Sequence, residues 1–471
     1  MQTHNAKEQP HLMTKSHDQL DLLHGSPWKT VPLFAMPVAA TSILEQLSNF
    51  IGTLMIGHFS PDGGSIGMAA VGSNLPLTSL IIQFFVGISL GANVVIAYAV
   101  GSKDEDQASR CAHSAIALSL IGVVVAVVME VFSRPILQCL GVPADAFEDA
   151  LLFLRIYLIG IPAILLYDFE AAVFGGIGIT RMPLVALAVS AVLNAVLDII
   201  FVPVLGWGVA GVALAMVIGY SASAVFLFVR LLKATGPIQI DLSRLRIDRE
   251  SGKSIIRIGL PAGIQGAVFA VANIVIQTCI NSLGTQVMAA TSASLALEFV
   301  CYSLLNSFSQ ACTTFVGQSR GAGDFDRCEQ TLKVCMIEDI ALALIVIAFM
   351  IWQGRAVMLL FSADPEVIAL GYMRICIVFP TYIFSMVYEN MSGYLRGFGI
   401  SLPPSILTVI GVCGVRLLWV ALVFPAYPTY ISVLFAYPLS LGVTALLMVG
   451  ALAFFRPATT ALKTKDAFKA N

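Results

Sequence analysis

Residues 167–183 read YDFEAAVFGGIGITRMP, and residues 388–404 read YENMSGYLRGFGISLPP. The two stretches lie 221 positions apart and share a tyrosine followed by an acid, a Gly-x-Gly, an isoleucine and a closing proline. A second pair repeats at an offset of 220, YAVGSKDED at 98–106 against QSRGAGDFD at 318–326. Pro37 matches Pro261, and Arg155 matches Arg374. Two halves with the same motifs in the same order predict parallel structural repeats, related by an axis along the membrane normal if the chain spans a membrane.

Composition says that it does. Hydrophobic residues make up 58% of the 471 residues and charged residues 11%, with a mean hydropathy of +0.88. Soluble domains carry about 25% charged residues. Apolar runs long enough to cross about 30 Å of hydrocarbon fall near 31–58, 66–100, 108–132, 146–175, 183–204 and 208–232, and again near 254–282, 287–318, 328–352, 366–396, 403–425 and 430–455. The reading is an all-α polytopic membrane protein of twelve transmembrane helices in two six-helix lobes, residues 31–234 and 254–455. The linker is the one long polar connector, TGPIQIDLSRLRIDRESGKS at 235–254, taken as 235–253 before the next helix. Residues 1–30, with His4, His11, His17 and His24, read as a mobile polar tail rather than a metal site, and 456–471 as a second tail. The first apolar run is too long for a cleaved signal and carries Glu45.

Charge fixes the expected orientation. With both termini cytosolic, 21 of the 26 lysines and arginines fall inside, Arg134 and Arg355 outside, and Arg155, Arg374 and Arg416 within spans. A net charge of −2 gives no reason to expect nucleic acid as a partner. The nine cysteines fall mostly in apolar runs and read as small core residues.

Acids inside apolar spans are expensive and mark ion or substrate paths by default. Asn194 and Asp198, four apart in SAVLNAVLDIIFVP, share one helix face. The bland alternative is a hydrogen bond capping a kink before Pro203. Tyr167–Asp168 and Tyr388–Glu389 occupy equivalent places in the two repeats and predict an anionic lining if both face a central cleft. Glu45, Glu170 and Glu298 are further intramembrane acids, whereas Glu338 and Asp339 read as close enough to the cytosolic end to be wetted. Gln265 is one of several amides suited to joining helices or lining the cleft.

The segments GISLGANVVIAYAVGSKDEDQASR, GVPADAFEDALLFLRIYLIGIPAILLY, FGGIGITRMP, LNAVLD and GWGVAGVALAMVIGY, with the second-half copies, resemble the multidrug and toxic compound extrusion (MATE) family over roughly residues 30–455. The likeness is closer to the DinF-like branch than to the NorM-like one. It implies an antiporter that exports an organic, often cationic, compound in exchange for H⁺ or Na⁺, with cation or proton coupling at Asn194 and Asp198 in the amino-terminal lobe. Asp168 and Glu45 join that coupling set, and Tyr167, Tyr388, Glu389, Glu298 and Gln265 the substrate cleft. That branch also places an Asp late in its first span, where this chain has Gly52, and a threonine where it has Met216. Glu45, two turns before Gly52, offers a substitute. The carboxyl-lobe Glu used by another branch is replaced by Phe269.

The expected partners are a small organic molecule and the lipid bilayer, with no cofactor beyond the coupling ion. The chain is expected to act as a monomer, in the cytoplasmic (inner) membrane if bacterial. Two rivals stand beside this reading. A lipid-linked oligosaccharide flippase needs several basic residues in the cleft, and only Arg416 reads as well placed. A membrane-embedded enzyme needs a nucleophile or metal set within spans, and His58 and His113 are the only histidines beyond the tail.

Overall fold

A computed structural model describes residues 19–59, 65–140 and 142–460. Histidines 4, 11 and 17 and the last eleven residues, both parts of the expected tails, lie outside the described residues. Among the described residues twelve helices are long and apolar enough to span a membrane: α1 Pro27–Phe59, α2 Ile66–Gly101, α3 Glu105–Cys139, α4 Phe147–Gly176, α5 Arg181–Val204, α6 Gly208–Leu232, α7 Arg249–Asn281, α8 Thr285–Gly321, α9 Phe325–Met358, α10 Pro365–Gly397, α11 Leu402–Leu422 and α12 Tyr430–Thr460. In lipid only helices of this kind, or closed barrels, satisfy every backbone polar group internally.

The repeated motifs turn out to be helix termini. Asp104 accepts from the Gln107 amide at 2.8 Å to cap α3, and Asp324 accepts from the Arg327 amide at 3.0 Å to cap α9. The residue before each cap turns left-handed, Lys103 at φ 57° and Gly323 at φ 71°. Gly178 and Gly399 do the same at φ 89° and 74° after α4 and α10. Left-handed backbone favours glycine. Two stretches depart from α geometry, a π-helical turn at Ile200–Val204 around Pro203 and another at Val409–Gly414 in α11.

Helices α1–α6 pack on one another as one lobe, and α7–α12 as the other. The lobes meet mainly where α2 crosses α7 and α8 and where α1 crosses α8. This seam is built from glycine. A Cβ at Gly87 would collide with the backbone of Gly263, one at Gly91 with Ile255 and Gly259, and one at Gly101 with the Gln318 carbonyl. Small residues spaced four apart let helix backbones touch in lipid. All these contacts lie in the half nearest the linker, so the lobes close there. The linker itself is tied to α3, the Asp241 amide donating to His113 Nε2 at 3.0 Å and the Asp248 amide to Ser114 Oγ at 2.9 Å. Asp248 also caps α7, and the Ser251 amide and hydroxyl hold its carboxyl below the usual range.

Residues 19–26 depart from the mobile tail expected of 1–30. Gln19 Nε2 donates to the Ile177 carbonyl at 3.1 Å, on the amino-terminal lobe. Arg327 of the other lobe donates to the Leu22 and Gly25 carbonyls at 2.9 and 2.6 Å. Leu22, 1% exposed, is buried with Phe308, Phe315 and Phe398. A short polar sequence hid this, since the anchoring partners are 158 and 305 residues away.

Leu22→Ala is expected to destabilise the protein by about 2–5 kcal/mol, the usual cost of emptying a buried leucine site; thermal unfolding in detergent checks it. Gly263→Leu is expected to push α7 off α2 and lengthen the spin-label distance between positions 103 and 326, both exposed at the linker end. An unchanged distance would mean that the seam does not hold that end shut.

Candidate functional site

Between the lobes lies a cavity of about 580 Å³. Its floor, toward the linker, is closed by Thr314 Oγ1 donating to Asn93 Oδ1 at 2.9 Å and by Gln318 Nε2 donating to the Gly176 carbonyl at 2.8 Å, each bond crossing from one lobe to the other. Both Tyr–acid pairs line it, Tyr167 and Asp168 from α4, Tyr388 and Glu389 from α10. Glu45, Glu298 and Gln265 line it as well. One cavity therefore gathers seven of the nine residues assigned from the sequence to coupling or the substrate cleft.

On the amino-terminal wall the charge is all negative. Glu45 and Asp168 lie near enough to repel each other when both are ionised, with Tyr157, Tyr167 and Tyr220 around them. Asp168 Oδ2 is buried and has no hydrogen-bond partner, while Tyr167 donates to the Pro183 carbonyl at 3.3 Å. Among the described residues neither Lys nor Arg from this lobe lines the cavity.

The other two singled-out residues, Asn194 and Asp198, are not in the cavity lining. They are 4% and 0% exposed, and they sit in the seam between α5, α1 and α6. A Cβ at Gly52 of α1 would lie 3.9 Å from Asp198 Oδ2, and one at Gly219 of α6 would lie 3.4 Å from the Asn194 Cβ. All four of their side-chain polar atoms lack a hydrogen-bond partner. The kink-capping alternative needed one of those bonds. One residue, Ile199, separates Asp198 from the π-helical turn Ile200–Val204, a geometry that recurs at functional sites. Glu170, 0% exposed, also has both oxygens unpartnered, on the side of α4 away from the cavity lining.

The carboxyl-terminal wall is mixed. Glu298 does not stand as a free acid, because Arg374 engages both of its oxygens through Nε and Nη2, the latter at 3.0 Å. Arg374 is fully buried and also donates to the Tyr437 hydroxyl at 3.2 Å. Its repeat mate Arg155 instead makes an exposed pair with Glu130 at 2.9 Å. Glu389 accepts from the Tyr302 hydroxyl at 3.1 Å. Arg416 lines the cavity as expected, but so does Arg396, which charge counting alone assigns to the cytosolic edge. Its Nη2 donates to Gln265 Oε1 at 2.7 Å. Asp339, expected to be wetted, is 0% exposed and accepts from Asn390 Nδ2 at 2.6 Å inside the lobe. Sequence reasoning misses Arg396 as a cavity residue; Tyr302, an aromatic residue suited to stacking on a flat substrate, lies four residues after Glu298, hence on the same helix face, and lines the cavity.

Comparison with known proteins follows the same two halves. The MatE family model matches residues 37–200 and 261–422. A probable multidrug resistance protein of Bacillus subtilis, YoeA, is 27% identical over 90% of this chain and 93% of its own length. A probable multidrug resistance protein NorM of Thermotoga maritima is 23% identical over 81% of this chain and 82% of its own. Among solved structures, the outward-facing conformation of a multidrug resistance MATE family transporter of the MOP superfamily superposes with a TM-score of 0.86, covering 95% of this chain and all of that one at 22% identity. Two matched halves, a twelve-helix two-lobed fold and full-length relatives place this chain in the MatE family of membrane transporters.

Proposed function

We propose that this protein exports small organic compounds by alternating access, driven by protons entering through the amino-terminal lobe. The observation that carries the reading is a pair of buried, unpartnered polar side chains, Asn194 and Asp198, lying behind one wall of a cavity whose linker end is closed by bonds between the lobes. Two lobes rocking about a central site is the usual motion of repeat-built transporters. In this reading the linker and both termini are cytosolic, as the distribution of lysine and arginine favours, and the cavity is open to the outside. In a bacterium the membrane is the cytoplasmic one. A monomer suffices, since one chain supplies both walls.

Multidrug export is supported by the names of the two bacterial relatives. The proton is favoured over Na⁺ because the Asp198 seam offers few oxygen ligands; Gly52 and Met216 stand where the resembled branch has oxygen-bearing side chains. Protonation removes a buried charge between α1, α5 and α6, and it moves the lobes only if the two states bind the proton with different affinity. Asp168 and Glu45 would then attract the cationic part of a substrate and hand charge to the same lobe. The flippase alternative is less well supported, because it calls for several bases around the cavity and among the described residues the lining offers two, Arg416 and Arg396, on one wall with the acids Glu45 and Asp168 on the other.

Proteoliposomes with separately imposed H⁺ and Na⁺ gradients test this with a fluorescent organic cation. Wild type is expected to export under the H⁺ gradient alone, and Asp198→Asn to lose gradient-driven export while retaining ligand binding. Export driven only by Na⁺ would overturn the proton assignment, and full export by Asp198→Asn would overturn the role of the seam. Asp168→Asn is expected to weaken cation binding by about tenfold, the size of one charged hydrogen bond, as read by equilibrium binding in detergent.

A further inference from the structure

The carboxyl-terminal wall holds more positive charge than its own acids neutralise. Arg374 shows how this lobe treats a structural cation: a carboxylate, Glu298, meets its Nε and Nη2, the Tyr437 hydroxyl accepts from Nη2 as well, and only Nη1 is left unpartnered. Arg416 has no such arrangement. It is 6% exposed, its Nε donates to Ser440 Oγ at 3.1 Å, and its guanidinium lies 4.3 Å over the Tyr437 ring that Arg374 also faces at 4.9 Å. Among the described residues no carboxylate lies within ion-pairing distance of Arg416 or Arg396. Arg396, 7% exposed, has one amide acceptor in Gln265, an unpartnered Nε and a more distant attraction to Glu389.

Keeping a guanidinium out of water is costly unless an anion meets it. The guanidinium fork matches the paired oxygens of a carboxylate or phosphate. The facing wall, with Glu45 and Asp168 and no base among the described residues, is the opposite pole. Opposite charges on opposite walls of one cavity complement a molecule that carries both.

We propose that the transported compound is a zwitterion whose carboxylate or phosphate is bound by Arg416 and Arg396, while its cationic group faces Glu45 and Asp168 across the cavity. The proposal rests on the reading of this cavity as the substrate site. The aromatic ring of Tyr437 fixes the Arg416 plane, so a bidentate oxyanion meets it in one orientation.

The test is equilibrium binding by fluorescence polarisation to the full-length protein in detergent. Rhodamine 110, a zwitterion, is compared with its methyl ester rhodamine 123, a cation with the same ring system. Flavin mononucleotide against riboflavin probes the oxyanion subsite with phosphate. Wild type is expected to bind rhodamine 110 at least about tenfold more tightly than its ester, as for one charge-assisted bond or more. Arg416→Gln is expected to collapse that ratio toward one, and Arg416→Lys to keep part of it, with thermal unfolding as the check on folding. A preference in the rhodamine pair alone assigns the site to carboxylates, and a preference in the flavin pair alone to phosphates. No preference in either pair overturns the proposal, as does a wild-type ratio that survives Arg416→Gln. The wild-type ratio needs no variant to be read. Loss of gradient-driven rhodamine 123 efflux from proteoliposomes would remove the exporter reading and leave the ratio standing; a ratio near one with efflux intact would remove the zwitterion alone.

Discussion

The direct backbone contact of α2 with α7 and α8 is the constraint on which everything else depends. Gly87, Gly91 and Gly101 on one side meet Gly259, Gly263 and Gln318 on the other at distances that exclude a Cβ. Lipid gives apolar helices no hydrophobic reason to associate, so close van der Waals packing has to supply it. Because those glycines lie in the linker half of the helices, the lobes are pinned together there. The cavity lies beyond that contact, floored by the Thr314–Asn93 and Gln318–Gly176 bonds.

Within the cavity the two walls solve the cost of buried charge differently. The carboxyl-terminal wall pairs Glu298 with Arg374 and bonds Glu389 to Tyr302, so its acids are met by protein. The amino-terminal wall leaves Asp168 partly unpartnered, and behind it Asp198 entirely so. An unsatisfied carboxylate in the hydrocarbon region is expensive, and such a cost persists where a proton, an ion or a ligand completes the group. The two walls are thus asymmetric: the amino-terminal side offers unmet acids, and the carboxyl-terminal side offers acids met by protein together with surplus guanidinium.

Asp198 and the cavity acids are separated by helix packing rather than joined in one shell. Communication between them has to pass through α1, which carries Glu45 on the cavity and Gly52 at the seam, and through α5, where Asp198 leads into a π-helical turn. Helices with a weakened ladder change curvature at modest cost. The seam and the cavity wall therefore share helix α1.

Much of this was legible in the sequence. Hydrophobic runs of span length, the polar linker and the repeated YDFE…GIG and GSKDED motifs determined twelve helices in two like lobes, because membrane thickness and backbone hydrogen bonding leave few alternatives. The motifs kept their form because left-handed turns and aspartate caps are local requirements, set by a few adjacent residues. The Tyr–acid pairs could be placed on equivalent helices for the same reason. What only the tertiary structure decided is which of those side chains meet. Glu298 is neutralised by Arg374, 76 residues away, Arg396 turns from the membrane edge into the cavity, Asp339 is sealed against Asn390, and residues 19–26 bind both lobes. Each of these depends on where two helices cross, and periodicity within one helix carries no record of its neighbour's rotation.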